Sequence, residues 1–144
     1  MAITNILVPF DGSAYSVRAF SAALDIAKKQ DAKLNVLTCL EKDNLGAWYK
    51  DKRVNKRIVK DAKKFATGFL SKLEDTAERS DVSLSVHVLE TKSISKQIVD
   101  FANSKKINLI VIGSHGQTGF NRFVLGSVSN SVSQSAKCPV LIIR

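Results

Sequence analysis

Short apolar runs and longer stripes of helical spacing alternate along this chain. Residues 3–8 are largely apolar and close on Pro9, and Leu34-Asn35-Val36-Leu37 is a second such run. Val82, Leu84, Val86 and Val88 recur at every second position, residues 107–112 are almost continuously apolar, and Val140-Leu141-Ile142-Ile143 follows Pro139. Runs of this length, or a spacing of two, mark strands. Between them the spacing becomes three or four. Val17, Phe20, Leu24 and Ala27 form one stripe, and Ile58, Ala62, Phe65, Phe69 and Leu73 a second. Ile94, Ile98 and Phe101 form a third, and Val124, Val128 and Val132 a fourth. Each predicts a helix with one apolar face. Ser13 and Ser93 stand where an N-cap oxygen is needed, Ser93 with Gln97 close to the reciprocal position of a capping box.

Five strands alternating with four helices over short connections predict a parallel sheet with crossover helices on both faces. The fourth strand, apolar on both sides, belongs inside that sheet. No linker, low-complexity tract or repeat interrupts the pattern, so residues 1–144 read as one α/β domain.

Composition narrows the class. With 144 residues, 44% of them hydrophobic and 24% charged, the chain has the makeup of a globular domain. No apolar run approaches the roughly 18 residues of a membrane span. Met1-Ala2-Ile3-Thr4-Asn5 lacks the basic and apolar segments of a signal peptide. Cys39 and Cys138 are far apart and form no C-x-x-C pair, so free thiols in a reducing, cytoplasmic compartment are expected. The net charge of +9 draws anions of every kind and does not choose among them. Much of it falls between Lys50 and Lys64, with Lys52, Arg53, Lys56, Arg57, Lys60 and Lys63 against Asp51 and Asp61. Such a run reads first as a solvated helix face and second as a patch for an acidic partner or nucleic acid. Trp48 and Tyr49 are too few for a base-stacking platform and read as packing residues.

Candidate chemistry lies where strands end, because ligands of open α/β sheets bind beyond the carboxyl ends of the strands. Pro9-Phe10-Asp11-Gly12-Ser13 follows the first strand. Gly113-Ser114-His115-Gly116 follows the fourth, and Gly126-Ser127 opens the last helix. Gly113 and Gly116 remove side chains where backbone N–H groups would approach an anion, and they permit positive φ. The helix start at Gly126-Ser127 adds unpaired N–H groups, the positive end of a helix dipole and a hydroxyl. The stretch is neither a Walker A loop nor G-x-G-x-x-G. Each glycine alone reads equally well as a turn residue. Asp11-Gly12-Ser13 also fits a plain turn with Ser13 as N-cap. Cys39 reads as a small buried residue, His115 as a phosphate donor or a solvated loop histidine, and His87 as exposed or half-buried. Two separated histidines make no metal site. Mg²⁺, if used, arrives with nucleotide phosphates.

The spacing Gly-x2-Gly-x9-Gly-Ser, with the opening Pro9-Phe10-Asp11-Gly12-Ser13 and the ending 136–144, resembles the ATP-binding subtype of the universal stress protein family over the whole chain. The resemblance implies a Rossmann-like sheet of the adenine nucleotide alpha hydrolase type, in strand order 3-2-1-4-5. It implies that Asp11 contacts ribose or a metal-bound phosphate and that Pro9 and Phe10 shape the adenine side. The main chain at Cys39 would pair with the adenine edge, and Ile112 and Gly113 would line the ribose and α-phosphate. Gly116, Gly126, Ser127 and Val128 would hold the phosphates, with Ser114 and His115 beside them. Lys92-Ser93-Ile94 departs from the family's usual Gly-x-Pro turn before the third helix.

The expected function is a nucleotide-responsive stress module that binds ATP, ADP or AMP. The occupied cradle would order residues 116–126, and a protein partner would read that surface. Asp11 and His115 are the only candidates for hydrolytic chemistry, so no enzymatic role is expected. A nucleotide-independent interaction protein using the 50–64 face, or a slow ATPase, is the alternative. The apolar last strand at a sheet edge, together with the resemblance, implies a homodimer paired through Val140–Ile143. No membrane association and no specific nucleic-acid binding are expected.

Overall fold

The computed structural model describes residues 2–41, 52–116 and 124–144, leaving aside the side chains of 52–56, 58 and 59. Trp48, Tyr49 and the basic side chains of Lys50, Lys52, Arg53 and Lys56 therefore lie outside the described residues. Five parallel strands form one sheet: β1 (Asn5–Pro9), β2 (Lys33–Glu41), β3 (Leu84–Thr91), β4 (Leu109–Gly113) and β5 (Val140–Ile143), in the order β3-β2-β1-β4-β5. The described helices are α1 (Ala14–Gln30), α2 (Lys52–Arg79), α3 (Ile94–Ser104) and α4 (Ser127–Ser135). Among the described residues no helix is long and apolar enough to cross a membrane.

The order follows from burial. Because side chains alternate across a strand, Ile6 and Val8 enter one core with Phe20, Ala23 and Leu70, while Leu7 enters the other with Ile98, Phe101 and Val132. Helices α1 and α2 thus cover one face, and α3 and α4 cover the other. All five residues of β4 are buried, as expected of a strand covered on both faces. His87 is half-buried on β3, its ring edge-on to Phe101. Burial and the positive charges of Lys105 and Lys33 hold its pKa below the ordinary value.

Several details depart from the periodic reading. Strand β1 begins at Asn5 rather than Ile3, and Val82 precedes β3, where its N–H caps the end of α2 through Ala77 O. In α1 the buried stripe is Ser16, Ala19, Phe20, Ala23 and Ala27, whereas Val17 is 48% exposed. In α2 Ala66, Leu70 and Ala77 face the sheet, and Phe65 is 76% exposed. Small side chains let these helices lie close to the strands, which turns the larger neighbours outward. Val124 lies before α4 and is exposed, not part of its apolar face.

Candidate functional site

The chain turns from β1 into α1 through Asp11-Gly12-Ser13. Gly12 has φ of 83°, and Asp11 Oδ1 accepts the Ser13 N–H at 2.9 Å. Ser13 is the N-cap, its hydroxyl accepting from Ser16 N–H at 3.2 Å. Phe10 N–H continues the ladder to Leu37 O, and Thr38 Oγ donates to Phe10 O, so the start of this turn is pinned to β2. The neighbours of β1 in the sheet are β2, which follows it through α1, and β4, which enters much later in the chain. The chain ends of β1 and β4 therefore diverge at the topological switch point, and a crevice opens there.

That crevice is a pocket of about 380 Å³, within the range of small-molecule sites. Pro9, Phe10, Asp11, Cys39, Ile112, Gly113, His115, Gly116, Gly126, Ser127 and Val128 all line it. These eleven residues come from positions 9 to 128, and only the fold gathers them. Ser114 is the exception: it is buried and absent from the wall, its N–H donating to Ile143 O at 2.7 Å and its carbonyl accepting from Gly126 N–H at 2.8 Å. Leu37, Ile94 and Ile98 add apolar wall from β2 and α3, beside Cys39. Burial pushes the Cys39 thiol up to about 12, which leaves it protonated and unreactive. Cys39 and Cys138 are both free thiols.

On the opposite side the wall is the first turn of α4. Gly126 is its N-cap, has no side chain with which to accept a hydrogen bond, and receives the first helical bond from Asn130 N–H. The donors of residues 127–129 thus begin the helix at the pocket wall, beside the Ser127 hydroxyl. Ser129 lines the pocket too, but its buried hydroxyl is committed to Gly113 O. Among the described lining residues there is no lysine or arginine. An anion here would be met by N–H groups and the helix dipole.

The glycines at 113 and 116 do not use the positive φ expected of them. A Cβ on Gly113 would stand 2.7 Å from Tyr15 Cβ and 2.9 Å from its carbonyl carbon, so this glycine lets α1 pack on the end of β4. A Cβ on Gly116 would stand 2.9 Å from Asp11 Oδ2, and one on Gly126 3.0 Å from Ser114 O. Three glycines therefore bring β1, β4 and α4 together at close range. His115 is likewise engaged within the protein, to Ser114 Oγ through Nδ1 and to Val124 O through Nε2. No group of three or more metal-ligating side chains forms among the described residues.

The profile of the universal stress protein family matches residues 2–144. The chain belongs to the universal stress protein family. Universal stress protein MJ0531 of Methanocaldococcus jannaschii is 33% identical over 97% of this chain and 81% of its own. Among solved structures, universal stress protein UspA from Lactobacillus plantarum superposes with a TM-score of 0.88 at 27% identity, covering 100% of this chain and 99% of that one. Two other members of this family are nucleotide complexes. One is a universal stress protein with cAMP (TM-score 0.72, 26% identity, 100% of this chain and 98% of that one). The other is the Archaeoglobus fulgidus protein with dAMP (TM-score 0.69, 26% identity, 100% of both chains).

Ile98 was legible only as part of a helix stripe, since a pocket wall and a core face have the same hydropathy, whereas Ile94 also stands in the Lys92-Ser93-Ile94 turn that the resemblance sets near the ribose. Leu37 could have been found from Cys39, because residues two apart on a strand share a face.

Proposed function

We propose that this chain is an adenine-nucleotide-binding regulatory module, with ATP as its ligand. The observation that carries the reading is the opening of α4 at the pocket, where Gly126 and the first-turn donors stand opposite an apolar wall from β2 and α3. A purine ring suits that wall and a phosphate chain suits the helix start. The cAMP and dAMP complexes of relatives support the adenine part. Asp11 lies within reach of Gly116, where it could meet a ribose hydroxyl or a phosphate-bound Mg²⁺. The role proposed is binding rather than catalysis: among the described lining residues no lysine or arginine neutralises a transferring phosphoryl group, and both ring nitrogens of His115 are engaged. The protein acts in the cytoplasm, as free thiols suit, and as a homodimer paired along the edge strand β5.

Calorimetry with ATP tests this. Valine at Gly116 displaces the Asp11 carboxylate and crowds the polar end together, so Gly116→Val abolishes binding while the melting temperature stays close to the parent's. Ser127→Ala removes one hydroxyl and keeps the helix donors, for a loss of about 1–3 kcal/mol. ATP binding by Gly116→Val equal to the parent's overturns the proposal.

On α2 the described side chains Arg57, Lys60, Lys63 and Lys64 are exposed, and Lys63 pairs with Glu90 at 2.8 Å. Any nucleic-acid binding by this face is weak and indifferent to sequence, and a salt titration loses it near physiological ionic strength. Tight retention of one defined DNA or RNA there would favour the interaction-protein reading instead.

A further inference from the structure

The pocket's polar end is framed by two backbone segments, 114–116 and 124–126, and His115 joins them. Val124 O is a carbonyl and can only accept, so the ring proton resides on His115 Nε2. In the neutral ring Nδ1 then carries a lone pair and accepts from the Ser114 hydroxyl at 2.9 Å. A parallel backbone bond, Gly126 N–H to Ser114 O, closes the same gap. The imidazole therefore works as a crossbar between the segment bearing Gly116 and the segment that opens α4.

The crossbar is itself held from α1. The Tyr15 ring lies 5.1 Å from the His115 ring at a tilt of 48°. Arg18 stands over Tyr15 at 4.8 Å from the ring centroid, and its Nε–H donates to Arg144 O. The Tyr15 backbone and Cβ lie against the end of β4, where Gly113 leaves no room for a Cβ of its own. These contacts run without a break from the end of β5 through α1 to the pocket rim.

We infer that Tyr15 and His115 form a clasp that preforms the polar end of the pocket, with Tyr15 as a positioning residue acting through His115. This deepens the nucleotide reading and rests on it. With segments 114–116 and 124–126 already joined before an anion arrives, a bridge from Gly116 to the α4 start costs less ordering of these two segments, and affinity gains accordingly. The clasp acts at the phosphates and leaves the apolar wall alone. His115 is on this account a support for the phosphate end and not a phosphate ligand.

The test compares the parent with Tyr15→Ala, Tyr15→Phe and His115→Phe. Each is titrated calorimetrically with ATP and with adenosine, and each is studied without ligand by NMR. Removing one ring contact weakens ATP roughly two- to tenfold and leaves adenosine affinity as it was, while Tyr15→Phe, which keeps the ring, restores the parent value. In ligand-free parent and Tyr15→Phe, the His115 nitrogens show the Nε2–H tautomer and the Gly126 amide exchanges slowly. Tyr15→Ala loses both, and His115→Phe, which keeps a ring for Tyr15, loses the slow exchange and the ATP affinity together. Equal weakening of ATP and adenosine, or an unchanged tautomer and Gly126 exchange in Tyr15→Ala, overturns the clasp. If the parent binds neither ligand, the proposed function fails on its own, and the tautomer and exchange in the free protein still decide whether the clasp exists.

Discussion

At the scale of single residues, the glycines carry most of what is specific to this site, and space rather than backbone angle is the reason. Gly12 alone among the described glycines needs the left-handed region. Gly113 and Gly116 are separated by what lies opposite them. A methyl group on Gly113 meets the backbone of Tyr15 on α1, which cannot yield without moving the helix; one on Gly116 meets a single side-chain oxygen of Asp11, where a small shift suffices while Oδ1 keeps the Ser13 N–H. Gly113→Ala is therefore expected to destabilise the fold by about 1–3 kcal/mol, as overpacking does. Gly116→Ala should change stability little, within about 0.5 kcal/mol. Urea melts of the two variants separate these outcomes, and an equal loss in both would show that the close approach at Tyr15 is not the constraint described.

Among the elements, α1 shows how local chemistry and packing divide the work. Its start is written locally, by the Asp11 turn and the Ser13 cap, and its end by Asp31 in the left-handed conformation, whose N–H reaches Ala27 O. Its orientation is not local. The face against the sheet is built from Ala19, Ala23 and Ala27 around Phe20, and Val17 points away. Val17→Lys should accordingly be neutral to within about 0.5 kcal/mol. Ala23→Leu forces a larger side chain between helix and strands and should lower stability by about 1–3 kcal/mol. Thermal unfolding monitored by circular dichroism checks the pair; a destabilised Val17→Lys with a tolerated Ala23→Leu would reverse the assigned face.

For the whole molecule the open question is what becomes of the sheet edge. Among the described residues strand β5 pairs with β4 alone, and Leu141 is 38% exposed. Unpaired backbone along an apolar strand invites pairing with another chain, which is the basis of the dimer proposed above. Because Leu141 projects outward, Leu141→Lys can oppose pairing without emptying the core. Light scattering at micromolar concentration should find a dimer for the parent and a monomer for Leu141→Lys, with unchanged circular dichroism. A parent that scatters as a monomer removes the edge-strand dimer.

Much of this architecture was legible along the chain, and the parts that were not share a cause. Spacing alone separates strands from helices, because the two periods place side chains on different faces, and the alternation of nine segments leaves few topologies. The strand ends and the glycines at 113, 116 and 126 marked the crevice only in combination, since each glycine alone fits a turn but ligands of open α/β sheets bind where strands end and a helix begins. Phase was another matter. Val17 and Phe65 are as apolar as core residues, yet the helices turn them outward because alanine faces pack closer to the strands. Ile94 and Ile98 could have been core or pocket wall, and only the divergence of β1 and β4 makes them wall. Likewise, a glycine in a sequence says that a side chain is missing but not what took its place. Tyr15 stands 98 positions before Gly113 in the chain, and their contact exists only once α1 has folded back across β4. Local periodicity determined which elements form, because it depends on neighbours in sequence; tertiary packing decided which faces are buried and what each glycine is for, because those depend on neighbours in space.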